Sequence, residues 1–276
     1  MKIDSQTERR IIFIVLFIAV MLPLIFPIGW TSEVSPHVQM TYDMVDNTPE
    51  GSVVLLSFDY DPSTATELQP MAISLIEHAW KNNQRVIATA LWPMGVKMAD
   101  AAFQELLLKY PSKESGVDFV NLGYKTGGMV TIQAMGRDMK SVFPTDTKTI
   151  PYEDIPLLKT VRSLKDIQFV ISLSAGDPGI KQWIMGAHDM FGVKVAGGTT
   201  AVSAPGFLPY INSQNQLYGL LGGLKAASEY EQLLGIVGPA TVKMDSQSVA
   251  HVLILVFIAI GNVKAYKKRN SKKEGK

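Results

Sequence analysis

Five short apolar runs recur through the middle of the chain: Val53–Phe58, Arg85–Leu91, Val117–Leu122, Gln168–Leu173 and Val193–Ala196. Each is nearly unbroken in its apolarity and each gives way to a polar cluster. That pattern predicts strands buried on both faces of a sheet. Between them apolar residues recur at helical spacing. Leu68, Met71, Leu75, Ile76 and Ala79 form one such face, and Val96, Ala99, Phe103, Leu106 and Leu107 a second. After the fourth run, Asp177 is placed to cap a helix that opens on Pro178 and turns Ile180, Trp183, Ile184 and Ala187 inward. A last helix is expected over Gln216–Leu234, with Leu217, Leu220, Leu221 and Leu224 on one face. The alternation predicts an α/β fold: a mostly parallel, doubly wound, Rossmann-like sheet of five or more strands flanked by helices.

Two segments fit this picture less well. Residues 31–51 read as a polar entry segment. In Lys125–Asp166, "TGGMVTIQAMGRDM" suits helix or strand, "FPTDTKTIPYEDIP" reads as an irregular excursion, and "PLLKTVRSLKD" as a returning helix.

Two apolar stretches at the ends have a different character. Ile11–Trp30 has no charged residue, follows Arg9 and Arg10, and ends on a tryptophan suited to a membrane interface. A cleaved signal peptide is the rival, but the run is long for one and no small-x-small site follows it. Val249–Val263 is shorter and almost without a polar face, with Lys264 and Tyr266 able to snorkel at one end. Its rival is a buried core helix, which would normally show a polar side.

The expected organisation is a cytoplasmic N-terminus over 1–10 and a transmembrane helix over 11–30. An extracytoplasmic α/β domain over 31–247, a second transmembrane helix over 248–266 and a basic cytoplasmic tail over 267–276 follow. Basic residues flank the outer end of each span, which puts both termini in the cytoplasm and the main domain outside the cell membrane. The tail is expected to be disordered and to touch anionic lipid heads.

Charge supports that division. The 276-residue chain carries a formal net charge of +1, but residues 248–276 hold seven basic groups and one acidic. The body between the apolar stretches is acidic, which argues against nucleic acid as a partner. There is no cysteine, so disulfides and thiolate metal sites are excluded.

In an open parallel sheet, ligands bind beyond the carboxyl ends of the strands. Here those ends carry "FDYDPST", "ALWPMG", "GYKTGG", "SLSAGDPG" and "AGGTTAVSAPG". The ligand-binding candidates are therefore Asp59, Asp61, Ser63, Lys125, Ser174, Asp177, Thr199 and Thr200. Asp59 and Asp61 are also candidate ligands for Mg²⁺ or Ca²⁺, the hard cations that oxygen-only donors suit.

The Asp-x-Asp at the first strand end resembles the pair used by haloacid-dehalogenase-type phosphatases. The downstream lysine and acidic cluster of such enzymes are missing, and helix begins almost at once. Asp59, Asp61 and Ser63 also resemble the metal-dependent adhesion site of von Willebrand A-like domains, with Asp in place of the first Ser. The simplest alternative has Asp61 or Ser63 capping the next helix and Asp59 solvated at the strand end.

"GYKTGG" lacks the order of a nucleotide phosphate loop, and no Gly-x-Ser-x-Gly elbow occurs. His37, His78, His188 and His251 fall in no zinc spacing; His78 and His188 are expected in partly exposed structural roles. Gly219-x-x-x-Gly223 suggests close helix packing.

The leading expectation is a non-enzymatic, two-pass membrane protein. Its outer domain binds a ligand or partner within an assembly with other membrane proteins or with itself. The alternative is an extracytoplasmic Mg-dependent hydrolase, or an adhesion-type domain, built on Asp59 and Asp61.

Overall fold

The computed structural model describes residues 5–274 apart from residue 213. It divides into two compact units: the two chain ends, up to Trp30 and from Thr241 on, and the stretch Thr31–Ala240.

The larger unit is a six-stranded sheet, all parallel, in the order β3-β2-β1-β4-β5-β6. The strands are β1 (Val53–Asp59), β2 (Arg85–Ala90), β3 (Phe119–Tyr124), β4 (Phe169–Ser174), β5 (Lys194–Thr199) and β6 (Leu220–Gly222). This is the order of doubly wound sheets, whose direction of winding reverses between β1 and β4.

Burial on both faces explains the unbroken apolar runs. Val54, Leu56 and Phe58 of β1 face one core with α3 (Ala65–Lys81), α4 (Gly95–Lys109) and α9 (Gly223–Leu233). Val53 and Leu55 face the other, with α5 (Met129–Met135), α6 (Met139–Val142) and α7 (Ile180–Trp183). After α7 the chain makes a wider π turn over Ile184–His188 and a last helical turn, α8 (Asp189–Phe191).

Five expectations are corrected. The helix expected over Gln216–Leu234 is β6 followed by α9. Gly223, at φ 72°, turns the chain between them, a conformation that favours glycine. The Gly219 and Gly223 pair therefore shares no helix; at Gly219 a methyl would lie 2.3 Å from the Thr41 hydroxyl. The entry segment contains α2 (Pro36–Asp46), which buries Val38, Thr41 and Val45 at helical spacing. Asp177 does not cap α7. The Asp177–Pro178 bond is cis, Gly179 stands at the cap, and Asp177 accepts a hydrogen bond from the Gln182 amide instead. Finally, "PLLKTVRSLKD" is two 3-10 turns, Pro156–Thr160 and Leu164–Asp166, rather than one helix.

Close packing at the head of α4 sets a strict steric limit. A methyl group on Gly95 would lie 1.8 Å from the Phe58 carbonyl oxygen and 2.7 Å from Cβ of Ala90. Neither obstacle is a flexible side-chain tip. Gly95→Ala is expected to destabilise the unit by about 3 kcal/mol or more, at the upper end of overpacking costs. Denaturant unfolding of the full chain would measure it; an unchanged midpoint would show that α4 is free to move off the strand.

The smaller unit holds α1 (Ser5–Ile25) and α10 (Pro239–Glu274). Among the described residues α10 is the one helix long and apolar enough to cross a membrane, over Pro239–Tyr266, and its most apolar stretch is not buried by the rest of the chain. The apolar side chains of α1, including Phe13, Phe17 and Ile25, are exposed as well. The helical part of α1 stops at Ile25, short of the expected Trp30, and Gly29 adopts φ 71° in the non-helical continuation. At the other end helix continues past 266 to Glu274, where an irregular tail was expected; lysine and arginine sustain a helix well. Residues 1–4, 275 and 276 of the two expected cytoplasmic segments lie outside the described residues.

The two helices are joined by polar contacts. The Asp245 carboxylate of α10 is buried and accepts the backbone N–H groups of Ile28 (2.8 Å), Gly29 (2.8 Å) and Trp30 (3.1 Å). The Ser246 hydroxyl donates to the Val20 carbonyl at 3.1 Å, and Lys264 pairs with Glu8.

Candidate functional site

The carboxyl ends of β1, β4 and β5 lie side by side, with Asp59 in register with Ser174, and Ser174 with Thr199. Asp59 follows Leu55 and Ser57 on one face of β1 and is completely buried. One of its oxygens accepts hydrogen bonds from the Ser57 hydroxyl (2.7 Å) and the Leu91 N–H (2.8 Å). The other accepts from the Ser172 hydroxyl (3.0 Å) and the Trp183 indole N–H (3.1 Å). One carboxylate thus ties together β1, β4, α7 and the turn after β2. Burial pushes its carboxyl up to about 6, and the four hydrogen bonds offset part of that rise. Asp59 is therefore not solvated at a strand end.

Asp61 lies in different surroundings. It is partly exposed and accepts the N–H (2.9 Å) and hydroxyl (2.6 Å) of Ser63. Those bonds hold its carboxyl below the usual range. They close a turn rather than cap α3, whose N-cap position is Thr64. As metal ligands the two carboxylates would be an unequal pair, because both Asp59 oxygens are already occupied by protein donors. Among the described residues no group of three or more His, Asp or Glu is placed to hold a metal ion.

Two clefts open above the strand ends. The first, about 410 Å³, has Thr199 at β5, Asp177, Lys181 and Gln182 from the β4–α7 segment, and Ser203 and Phe207 from the loop after β5. The second, about 510 Å³, lies over β2 and β3 and takes in Trp92, Tyr124, Thr126 and the backbone of Gly127 and Gly128. Asp177 and Gln182 line both. Asp59 sits beneath this arrangement: its partners Leu91 and Trp183 are a cleft residue and the immediate neighbour of one.

Of the eight sequence candidates, Asp177 and Thr199 come together in the first cleft. Ser174 is buried and donates to the Gly176 carbonyl at 2.8 Å, while Thr199 donates to the Ser174 carbonyl at 2.7 Å, so both hydroxyls shape the loop. Thr200 donates to Ser203 at 3.1 Å. Lys125 lies with its ammonium 5.6 Å from the centre of the Phe143 ring and lines neither cleft. Ser63 serves Asp61.

Among residues that sequence reasoning left aside are Trp92, Tyr124, Lys181, Gln182 and Phe207, together with Ser57, Ser172 and Trp183 around Asp59. Serines inside otherwise apolar runs were the available signal for the last group. His78 is buried rather than partly exposed. Its ring nitrogens meet the Tyr230 hydroxyl (2.8 Å) and Asp46 (3.3 Å), and Tyr42 stacks on it. Burial lowers its pKa.

The sheet order is that of dinucleotide-binding folds, whose first strand-to-helix turn is glycine-rich to admit a pyrophosphate. Here that turn is "YDPST" (60–64), with no glycine. No protein-family profile matches the chain, and no curated protein matches it. A solved structure described as the crystal structure of AibC is similar at a TM-score of 0.31 and 12% sequence identity, over 82% of this chain and 51% of that one. The chain thus spans about half the length of that protein, and a likeness at this level carries no argument about function.

Proposed function

We propose that the chain is a two-pass protein of the cytoplasmic membrane, with both termini in the cytoplasm. In this reading its α/β unit lies outside and binds a ligand in the strand-end clefts, without catalysis, as part of a membrane assembly. The observation that carries the reading is the pair of helices that leave much of their apolar surface exposed. α10 presents Leu255, Val256 and Ile258 outward, and α1 presents Phe13, Phe17 and Ile18. In water so much exposed apolar surface is unfavourable; in a bilayer it is the required surface. Arg9 and Arg10 at one end, and Lys264 with the basic residues after it at the other, favour a common cytoplasmic side.

The clefts support the binding half of the reading. They stand at the carboxyl ends of parallel strands, combine polar side chains with aromatic rings, and rest on a buried hydrogen-bonded carboxylate. Reporter fusions test the topology. A reporter joined after Ser112, in an exposed turn following α4, is expected outside the membrane, and one joined after Lys276 inside. A cytoplasmic signal from the Ser112 fusion would overturn the proposal.

A further inference from the structure

We propose that the two clefts together hold a neutral oligosaccharide laid across the ridge formed by Asp177 and Gln182. This rests on the reading of the α/β unit as a ligand-binding domain and names the class of ligand. Asp177 and Gln182 belong to both linings, so the two clefts adjoin at these residues and one ligand can span them. That favours an extended molecule over a compact one.

Charge narrows the class. The two linings contain one carboxylate, Asp177, and one ammonium, Lys181. A phosphorylated or acidic ligand calls for a surplus of cations and a cationic ligand for a surplus of carboxylates. Neither surplus is present.

The remaining lining has the two elements that a sugar needs. Its aromatic rings, Trp92 and Tyr124 in one cleft and Phe207 in the other, offer flat apolar faces to the C–H face of a pyranose. Trp92 is held in place for this: its indole N–H donates to the Pro178 carbonyl at 2.8 Å. Gly176 keeps the ring close, since a methyl there would stand 3.2 Å from it. Several polar groups keep hydrogen-bonding capacity for sugar hydroxyls. Among the described residues the hydroxyls of Tyr124 and Thr126 make no hydrogen bond. Ser203 accepts one and keeps its own proton to donate, and the Gln182 amide gives one of its two protons to Asp177. A sugar hydroxyl donates and accepts at one atom, so a mixture of free donors and acceptors with no net charge suits it.

The rival ligand is a single amino acid, its ammonium on Asp177 and its carboxylate on Lys181, wholly within the first cleft. Calorimetry on the full chain in lipid nanodiscs separates the two. The titrants are cellotetraose, maltotetraose, mannotetraose and chitotetraose, and separately a mixture of the common amino acids. At least one tetrasaccharide is expected to bind. Trp92→Ala and Phe207→Ala, at opposite ends of the ridge, are each expected to weaken it tenfold or more. Tyr124→Phe, which removes one hydroxyl from a partly exposed ring, guards against misfolding and is expected to weaken binding several-fold. No heat from any tetrasaccharide at millimolar concentration would overturn the proposal. So would an amino acid that binds equally well to the Trp92→Ala chain. The Ser112 fusion reports the topology independently, so a failure here is distinguishable from a failure of the membrane reading.

Discussion

The stability gap between the wild-type chain and Asp59→Asn is expected to be widest at about pH 4 and below and to close as the pH rises to about 6. The native carboxyl titrates at about 6 against 3.8 for the free group, because burial penalises the charge. Between those values the native state binds more protons than the unfolded chain, so this group's contribution is full below about 4 and is lost as the pH rises through 6. The loss amounts to roughly 3 kcal/mol for a shift of this size.

Asparagine cannot titrate, so its chain lacks this slope. Nor can it match the protonated acid. The acid can turn its single O–H toward Ser57 or Ser172, whose hydroxyls accept. The asparagine NH₂ must face a fixed donor in either orientation, the Leu91 N–H or the Trp183 indole N–H. One conflict of that kind costs about 1–3 kcal/mol. Taking the difference between two chains cancels contributions they share, such as that of His78. Denaturant unfolding of both proteins from pH 4 to 8 would measure the gap. A gap that is flat across that range, or that widens toward pH 8, would show that Asp59 is ionised at ordinary cost.

Asp245→Ala is expected to release α1 from α10. Three backbone N–H groups converge on this carboxylate. Removing it orphans all three at once, each at about 1–3 kcal/mol where water cannot replace the acceptor. Their segment, Ile28–Trp30, is not helical and has no internal acceptors for them. The absence of cysteine makes the test clean. Glu8→Cys with Lys264→Cys places two thiols where a salt bridge now joins the helices, far in sequence from Asp245. A short bifunctional maleimide should join them efficiently in the otherwise unaltered chain and much less in the Asp245→Ala chain. Equal cross-linking in both would mean that contacts other than the Asp245 carboxylate hold the helices together.

The strands were legible because burial on both faces leaves an unbroken apolar signature, which β1, β2 and β4 carry almost without interruption. β6 was not, because Leu217, Leu220 and Leu221 fit a buried helix as well as a buried strand. What decides between them is Gly223, whose positive φ allows the turn into α9. α2 hid behind polar neighbours although Val38, Thr41 and Val45 keep helical spacing.

At the strand ends, the sequence named the loops that line the clefts but did not separate the surroundings of their side chains. Asp59 and Asp61 look equivalent when read along the chain. They diverge because the donors that enclose Asp59 come from residues 91, 172 and 183, brought in by tertiary packing. Trp92, Tyr124 and Phe207 likewise gain meaning only from the clefts they share with distant glycines and hydroxyls.

The two borders of the sheet have a bearing on crowding. A bare strand at a sheet border is a template on which another chain can pair. On one side β6 is three residues long, and Thr41 of α2 stands close to the backbone just before it. On the other, the outward carbonyls of β3 are already taken: Gly116 donates to Phe119 at 2.7 Å and Thr147 to Asn121 at 3.0 Å. In the proposed membrane location, copies would be confined to a plane and would meet far more often than in dilute solution. This sheet is poorly suited to zipping onto a neighbour, so crowding of copies need not seed aggregation, and any ordered assembly would have to use its helices or loops.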